Sequence, residues 1–366
     1  MFSGEKTLAP DKQSAVVDLL NLNGEQRSLF YDLAAEDRGE VPTDIAGILV
    51  NKECRREIRM KYLRSLEKPN KKKLRTEKSK IERTKKPSKK LSVPCCYQGG
   101  KQRVSKEVVD SIFQSLPNTG DHTYYYDVCC GSGAFTVELL NRGVNASNIT
   151  MIDISSWGSF WNLLGSGNFD MDTFDRYLAA VPEDKSLVKD HMIKLAQEDA
   201  LVDEQYKYIL LQACSFGGKQ IWRDGSIWRN AFFRSYWKPT ATSVRRSPAN
   251  PMQPCPATLR KRVAELVDSA KGLTCVNADV LTLFDWDIAD NSVIYIDPPY
   301  RDTTAYAFGF DVDEFIASLK SHTKAAIFVS EGIPLSGNAK QLVFGGAKGG
   351  ISGNKRGKHE EWLSYV

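Results

Sequence analysis

The residues best suited to chemistry in this chain are carboxylates that close short apolar runs. Asp297 follows Ser292-Val-Ile-Tyr-Ile296 and is itself followed by Pro298-Pro299-Tyr300. Two consecutive prolines cannot continue a β-ladder and they lock the backbone, so Asp297 and the Pro298 carbonyl become fixed acceptors at a strand end. Tyr300 sets a flat ring beside them. Fixed acceptors next to a ring suit an extruded nucleobase, whose exocyclic amine is held by hydrogen bonds while its face is stacked. A second constellation, Asp127-Val-Cys-Cys-Gly131-Ser-Gly133-Ala-Phe135, closes another apolar run and opens a helical pattern. Glycines at such a turn let backbone amides approach a ligand at a helix N-terminus. The turn lacks the third glycine of the dinucleotide fingerprint and the Gly-Lys-Ser/Thr of a P-loop. Asp153 ends the next run, where a carboxylate can accept from ribose hydroxyls, and Asp279 ends a later one. Singly, each acid reads better as a surface or capping residue. Asp127, Asp153 and Asp279 together in strand-end register are harder to dismiss as such.

These residues need a scaffold that brings strand ends together. Apolar runs TYYYDVCC, ITMIDIS, LTCVNADV, SVIYIDPPY and KAAIFVS alternate with helical patterns, among them Thr136 to Arg142 and Asp311 to Ser321. Strands alternating with helices imply an α/β fold with a mostly parallel, Rossmann-like sheet. The rhythm fails between Ser155 and Pro256, which suggests an insertion of about 156–258, rich in Trp, Arg and Gly. Upstream, residues 11–65 have helical periodicity, and residues 1–65 read as a small helical module, either of helix-turn-helix kind or a plain adaptor. Residues 66–92 form a basic linker, in which Pro69 to Lys90 is nearly free of apolar side chains. A catalytic domain is expected over 93–366.

At 366 residues the chain is long enough for two or three domains. Its 42% hydrophobic and 26% charged residues exclude collagenous, wholly disordered and disulfide-scaffold classes. No uncharged apolar run approaches the ~18 residues of a membrane helix, and Met1 to Lys12 does not read as a secretory signal, so a cytoplasmic location and no membrane partner are expected. The net charge of +5 is uneven. Residues 1–51 carry 4 basic and 9 acidic side chains, 52–90 carry 18 and 5, and 91–366 carry 28 and 31. The excess thus lies in one block, which reads either as a nucleic-acid-contacting arm or as a solvated linker. The eight cysteines and four histidines show no ligand spacing, so no metal is expected. In the insertion, Trp222, Arg223, Trp228, Arg229, Arg234, Tyr236, Trp237, Lys238, Arg245 and Arg246 interleave rings with cations, a mix suited to phosphate contact and base readout.

Over roughly residues 93–366 the chain resembles the Dam-type DNA adenine methyltransferases, with motifs in that family's order. Tyr97-Gln-Gly99-Gly100-Lys101 resembles the family's N-terminal cofactor motif, Asp127 to Phe135 its glycine-rich motif, and Asp153-Ile-Ser its acidic motif. Phe216-Gly217-Gly218 with the following Trp-Arg-rich stretch resembles a diverged recognition segment. The pairing of LTCVNAD with VIYIDPPY, and GGISGNKRGKHEEWL near the end, match later motifs. The resemblance implies a class I methyltransferase sheet that binds S-adenosyl-L-methionine through Tyr97, Gly99, Lys101, Asp127, Gly131, Gly133, Phe135, Asp153 and Asp279. It implies that Asp297, Pro298 and Tyr300 hold a flipped adenine, and that Lys219, Trp222, Arg223, Arg229, Arg234, Arg245 and Lys355 contact double-stranded DNA. The implied reaction is direct displacement, with the adenine amine attacking the sulfonium methyl and no covalent enzyme intermediate. A restriction endonuclease partner, and a bacterial cell or phage-infected host, belong to the same expectation. The chain departs from the family at Asp127-Val-Cys, where Glu-Pro-Phe is usual, at Gly217 in place of Asn, and at Ile221 in place of the Arg that reads guanine in GATC-specific members. GATC recognition is therefore not carried over. The alternatives are a catalytically inactive DNA-binding protein of the same fold, and methylation of RNA adenine or of the cytosine amine. Cytosine enzymes of this type usually carry Ser where Asp297 stands.

Overall fold

The computed structural model describes residues 90–116, 123–299, 311–347 and 358–366. The chain divides into two units, Met1–Lys80 and Ile81–Val366, and every described residue belongs to the second. The expected helical module, most of the basic linker, Tyr300 and Lys355 lie outside the described residues.

Helix α1 (Ser105–Ser115) buries Val108, Val109 and Ile112 along one stripe and leaves charged residues opposite. Strand β1 (Tyr125–Val128) leads through the glycine turn into α2 (Ala134–Asn141), and β2 (Ile149–Ile152) follows. Helix α3 (Ser156–Gly165) starts where the Ser155 hydroxyl accepts the Trp157 N–H. Helix α4 (Met171–Ala179) starts where Asp170 accepts the Asp172 and Thr173 N–H groups. Helices α5 (Val188–Leu195) and α6 (Glu204–Cys214) come next, then a hairpin of β3 (Trp222–Asp224) and β4 (Ile227–Arg229) whose tight turn uses Gly225 at φ +58°. Helix α7 (Pro256–Ala270) opens on proline, whose missing N–H costs nothing at a first turn. The remaining elements are β5 (Thr274–Val276), β6 (Val293–Ile296), α8 (Val312–His322), β7 (Ala326–Glu331), β8 (Lys340–Ala347) and β9 (Lys358–Tyr365).

Seven strands form one sheet in the order β5-β2-β1-β6-β7-β9-β8. The five from β5 to β7 are parallel, and β9 runs antiparallel to both β7 and β8. Helices cover the sheet, so its central strands are apolar on both faces rather than alternating. In β6, Val293 and Tyr295 join the core that contains Trp157, Phe160 and Trp161, while Ile294 and Ile296 join the core that contains Phe315 and Leu319. The chain moves outward from β1 through β2 to β5, then returns to lay β6 on the other side of β1. Strand order therefore reverses between β1 and β6, and the crevice at the carboxyl ends of such a pair is where open α/β sheets take ligands.

The segment 156–258 contains α3 to α6 and the hairpin. Its buried residues, among them Trp157, Tyr208, Leu211 and Trp228, share one continuous core with the sheet residues Tyr125, Met151 and Tyr295.

Candidate cofactor and base-holding cleft

The turn after β1 is shaped by three residues in the left-handed region, Cys129 at φ +60°, Gly131 at +49° and Gly133 at +74°. Two contacts explain the glycines. A Cβ on Gly133 would lie 2.3 Å from Trp161 Cζ2, and one on Gly131 would lie 3.0 Å from Tyr97 Cε1. Trp161 is fully buried and its indole N–H donates to the Gly131 carbonyl at 3.1 Å. Asp127 closes the turn from below. Its Oδ2 accepts from the Thr136 hydroxyl at 2.7 Å and the Thr136 N–H at 3.2 Å, which ties β1 to the first turn of α2. Burial pushes the Asp127 carboxyl up to about 8 despite those bonds, so at neutral pH it is mostly uncharged.

Asp153, at the end of β2, braces the same turn from the neighbouring strand. Its Oδ2 accepts the Gly131 N–H at 2.7 Å, and its Oδ1 accepts the Ser155 N–H at 2.8 Å and hydroxyl at 2.6 Å. Burial raises its carboxyl above the ordinary range. Asp279 is exposed at the rim, and its Oδ1 accepts the Leu281 N–H at 2.9 Å. Asn277, two residues earlier, donates to the carbonyls of Asp153 and Ser155 at 2.8 and 2.7 Å, fastening the end of β5 to the end of β2.

Across the switch point, Asp297 is anchored by its N–H, which donates to the Val128 carbonyl at 3.1 Å. Its Oδ1 accepts from the Lys101 ammonium at 2.5 Å, and its side chain keeps 18% of its surface open. Lys101 is buried, donates also to the Gly99 carbonyl at 2.9 Å and lies 3.7 Å from Glu361 Oε1. Burial pushes the Asp297 carboxyl up to about 6, with Lys101 opposing and Glu361 reinforcing that rise. The Lys101 ammonium is held above its ordinary value: burial works against the charge, and the carboxylates of Asp297, Glu361 and Glu331 outweigh it.

These elements line one cleft that is open to solvent. Tyr97, Gly99, Lys101, Asp127, Gly131, Phe135, Asp153 and Asp279 line it together with Asp297 and Pro298. The residues expected to hold a cofactor and those expected to hold a base thus open on the same space. Gly133 is not part of the lining; its place is behind the turn, against Trp161. Sequence reasoning did not single out Gln220, which also lines the cleft, or Glu361, which lies beneath it. The lining carries four carboxyl groups and a single lysine, itself bonded to Asp297. Cys129 also lines the cleft, but burial and the surrounding acids hold its thiol well above its ordinary value, which makes it a poor nucleophile.

The residues expected to contact DNA are spread around the hairpin and the loop after it. Arg223 is paired with Glu204 at 3.3 Å and Arg229 with Asp224 at 3.1 Å. Arg234 lies over the Phe216 ring at 4.9 Å. Lys219 and Arg245 are exposed, the latter donating to the Pro248 carbonyl at 3.3 Å, and Trp222 is half-buried. Trp228, by contrast, is buried and stacks on Tyr208 at 5.9 Å, so it is a core residue. Ile221 is fully buried, and its N–H donates to Gln212 Oε1 at 3.2 Å, so no side chain at this position reaches outward.

Among the described residues, no group of three or more His, Cys, Asp or Glu is placed to hold a metal ion, and no helix is long and apolar enough to cross a membrane. Comparison of the sequence with protein-family models and with curated proteins gives no match.

Proposed function

We propose that the protein is an S-adenosyl-L-methionine-dependent DNA methyltransferase acting on the exocyclic amine of adenine. The observation that carries this reading is the convergence of the glycine turn, Asp153 and Asp279 with Asp297-Pro298 on one cleft at the reversal of strand order.

The charge of the cleft supports the cofactor. A dinucleotide or nucleoside triphosphate would bring phosphates against Asp153, Asp279 and Asp297, and among the described lining residues the one cation, Lys101, is already bonded to Asp297. S-adenosyl-L-methionine brings a sulfonium and an ammonium against one carboxylate, and an acid-rich lining favours that balance. When bound it supplies an electrophilic methyl group. Asp153 and Asp279 offer acceptors to hydroxyl and ammonium groups, and Tyr97 and Phe135 offer apolar surface. Asp297 and the Pro298 carbonyl orient the substrate amine, and Asp297, with a carboxyl near 6, takes up the proton that the amine loses. Positioning and local electrostatics supply most of the acceleration. The exposed cations around residues 219–246 suit a duplex backbone, and the basic block 52–90 suits a sequence-independent arm.

The test is transfer of labelled methyl from S-adenosyl-L-methionine to unmodified duplex DNA, with RNA and cytosine-only substrates as further arms. Asp297→Ala should abolish transfer and leave cofactor binding intact. Absence of both transfer and cofactor binding in the unmodified protein would refute the proposal.

A further inference from the structure

We infer that Glu361, on β9, is a positioning residue for Asp297: it shares the Lys101 ammonium with Asp297 and thereby keeps the Asp297 carboxyl able to accept a proton from the substrate amine. The inference rests on the proposed methyl-transfer reading. Its basis is topological. Strand β9 is antiparallel to β7, with Glu331 opposite Trp362, so residues that precede Trp362 lie beyond the carboxyl end of β7. That is the edge on which the parallel strands present Asp297. An antiparallel strand thus delivers an acid from its first half to the edge where the parallel strands end.

The side chain is placed for this purpose. Glu361 is buried, with its Oε1 3.7 Å from Lys101 Nζ, while the same ammonium bonds Asp297 at 2.5 Å and the Gly99 carbonyl at 2.9 Å. With Asp297 as its only carboxylate, Lys101 would hold that group as a tightly paired, weakly basic anion. A second carboxylate draws part of the ammonium's field away and adds like charge, and both effects make Asp297 more basic. Among the described residues, the ionisable groups around Asp297 are Lys101 from the loop before α1, Glu361 from β9, Asp127 and Cys129 from β1 and its turn, and Tyr295 from β6; Glu331 from β7 acts on Lys101. Asp127 and Cys129 are largely uncharged near neutrality, and Glu331 acts on Lys101 but not on Asp297. Among the described residues Glu361 is therefore the carboxylate that acts on both members of the Lys101–Asp297 pair. In the reaction, the amine nitrogen forms a bond to the methyl carbon as the carbon–sulfur bond breaks. The sulfonium leaves as a neutral thioether, and the proton lost by nitrogen passes to Asp297 and then to solvent.

The test compares the full-length protein with Glu361→Gln and Glu361→Asp. Titration of carboxyl-labelled aspartate by NMR, assigned with Asp297→Asn, follows Asp297 directly, and the pH dependence of kcat follows it through turnover. In Glu361→Gln the Asp297 titration and the acidic limb of kcat should move together from about 6 toward the ordinary carboxylate range. The plateau kcat should fall roughly three- to tenfold as the base weakens, with KM for the cofactor unchanged. Glu361→Asp should restore part of both. A folded Glu361→Gln protein with unmoved Asp297 titration overturns the inference whatever its activity. If Asp297 shifts as expected but the unmodified protein methylates no nucleic acid, the methyl-transfer reading fails, and with it the role given to Glu361 in turnover.

Discussion

Gly133→Ala tests whether the glycine turn is held by packing from behind. The new Cβ would sit 2.3 Å from Trp161 Cζ2 and 2.7 Å from Cε2, at a backbone φ of +74°. The left-handed conformation costs an alanine about 1–2 kcal/mol. Overpacking against an indole that is fully buried and bonded to Gly131 adds about 1–3 kcal/mol, for a total of roughly 2–5 kcal/mol. The two contributions separate in a double-mutant cycle. Trp161→Phe removes the ring that carries Cζ2 and Cε2, so in that background Gly133→Ala should cost only the conformational part. The expected coupling energy is therefore about 1–3 kcal/mol, with the pair less destabilised than the sum of the singles. Urea unfolding of the four proteins, monitored by far-UV circular dichroism, reads it directly. Costs that add to within about 0.5 kcal/mol would show that Trp161 does not constrain the turn, and the account of Gly133 would fall.

Lys101→Ala leaves Asp297 and Glu361 without their shared cation, and should destabilise the fold by about 3–5 kcal/mol in urea unfolding. Asp127 binds its proton more tightly folded than unfolded, so its contribution to stability is complete below about pH 4 and is lost as pH rises through about 8. Asp127→Asn should flatten the decline of unfolding free energy across that window, and an unchanged slope would show that Asp127 is not the group responsible. Arg245→Ala with Arg246→Ala removes two exposed cations, and should lower the slope of log affinity for duplex DNA against log salt by about two without changing thermal stability. Trp228→Ala should instead cost about 3–5 kcal/mol of stability, because it empties the space against Tyr208.

Much of the cleft was legible in the chain because its motifs are local. A carboxylate that ends an apolar run, or a glycine turn between a strand and a helix, is defined by a few consecutive residues, and parallel strands necessarily place such ends on one edge. The helices between β2 and β5 were not legible. Residues Ser156 to Gly165 read as Trp, Gly and Leu without a polar face, because α3 is buried on nearly all sides, and a helix of that kind has no amphipathic stripe to reveal its period. Trp228 belongs to the same difficulty. Its neighbours Arg223 and Arg229 suggested a surface that reads DNA, but alternation along β4 turns this one ring inward while Ile227 and Arg229 face out.

The local chemistry of this protein was determined by sequence alone. The Pro-Pro step fixes the backbone at Asp297, the left-handed turn requires Gly131 and Gly133, and the charge block at 52–90 is a property of composition. Tertiary structure decided which of these groups act on one another. Asp153 meets Gly131, and Lys101 meets Asp297 across 196 residues, because the order of strands reverses between β1 and β6. Glu361 joins them because β9 runs antiparallel to β7, so that the first half of β9 extends past the carboxyl end of β7. Contacts of that kind depend on the order and direction of strands, which no short pattern of residues encodes.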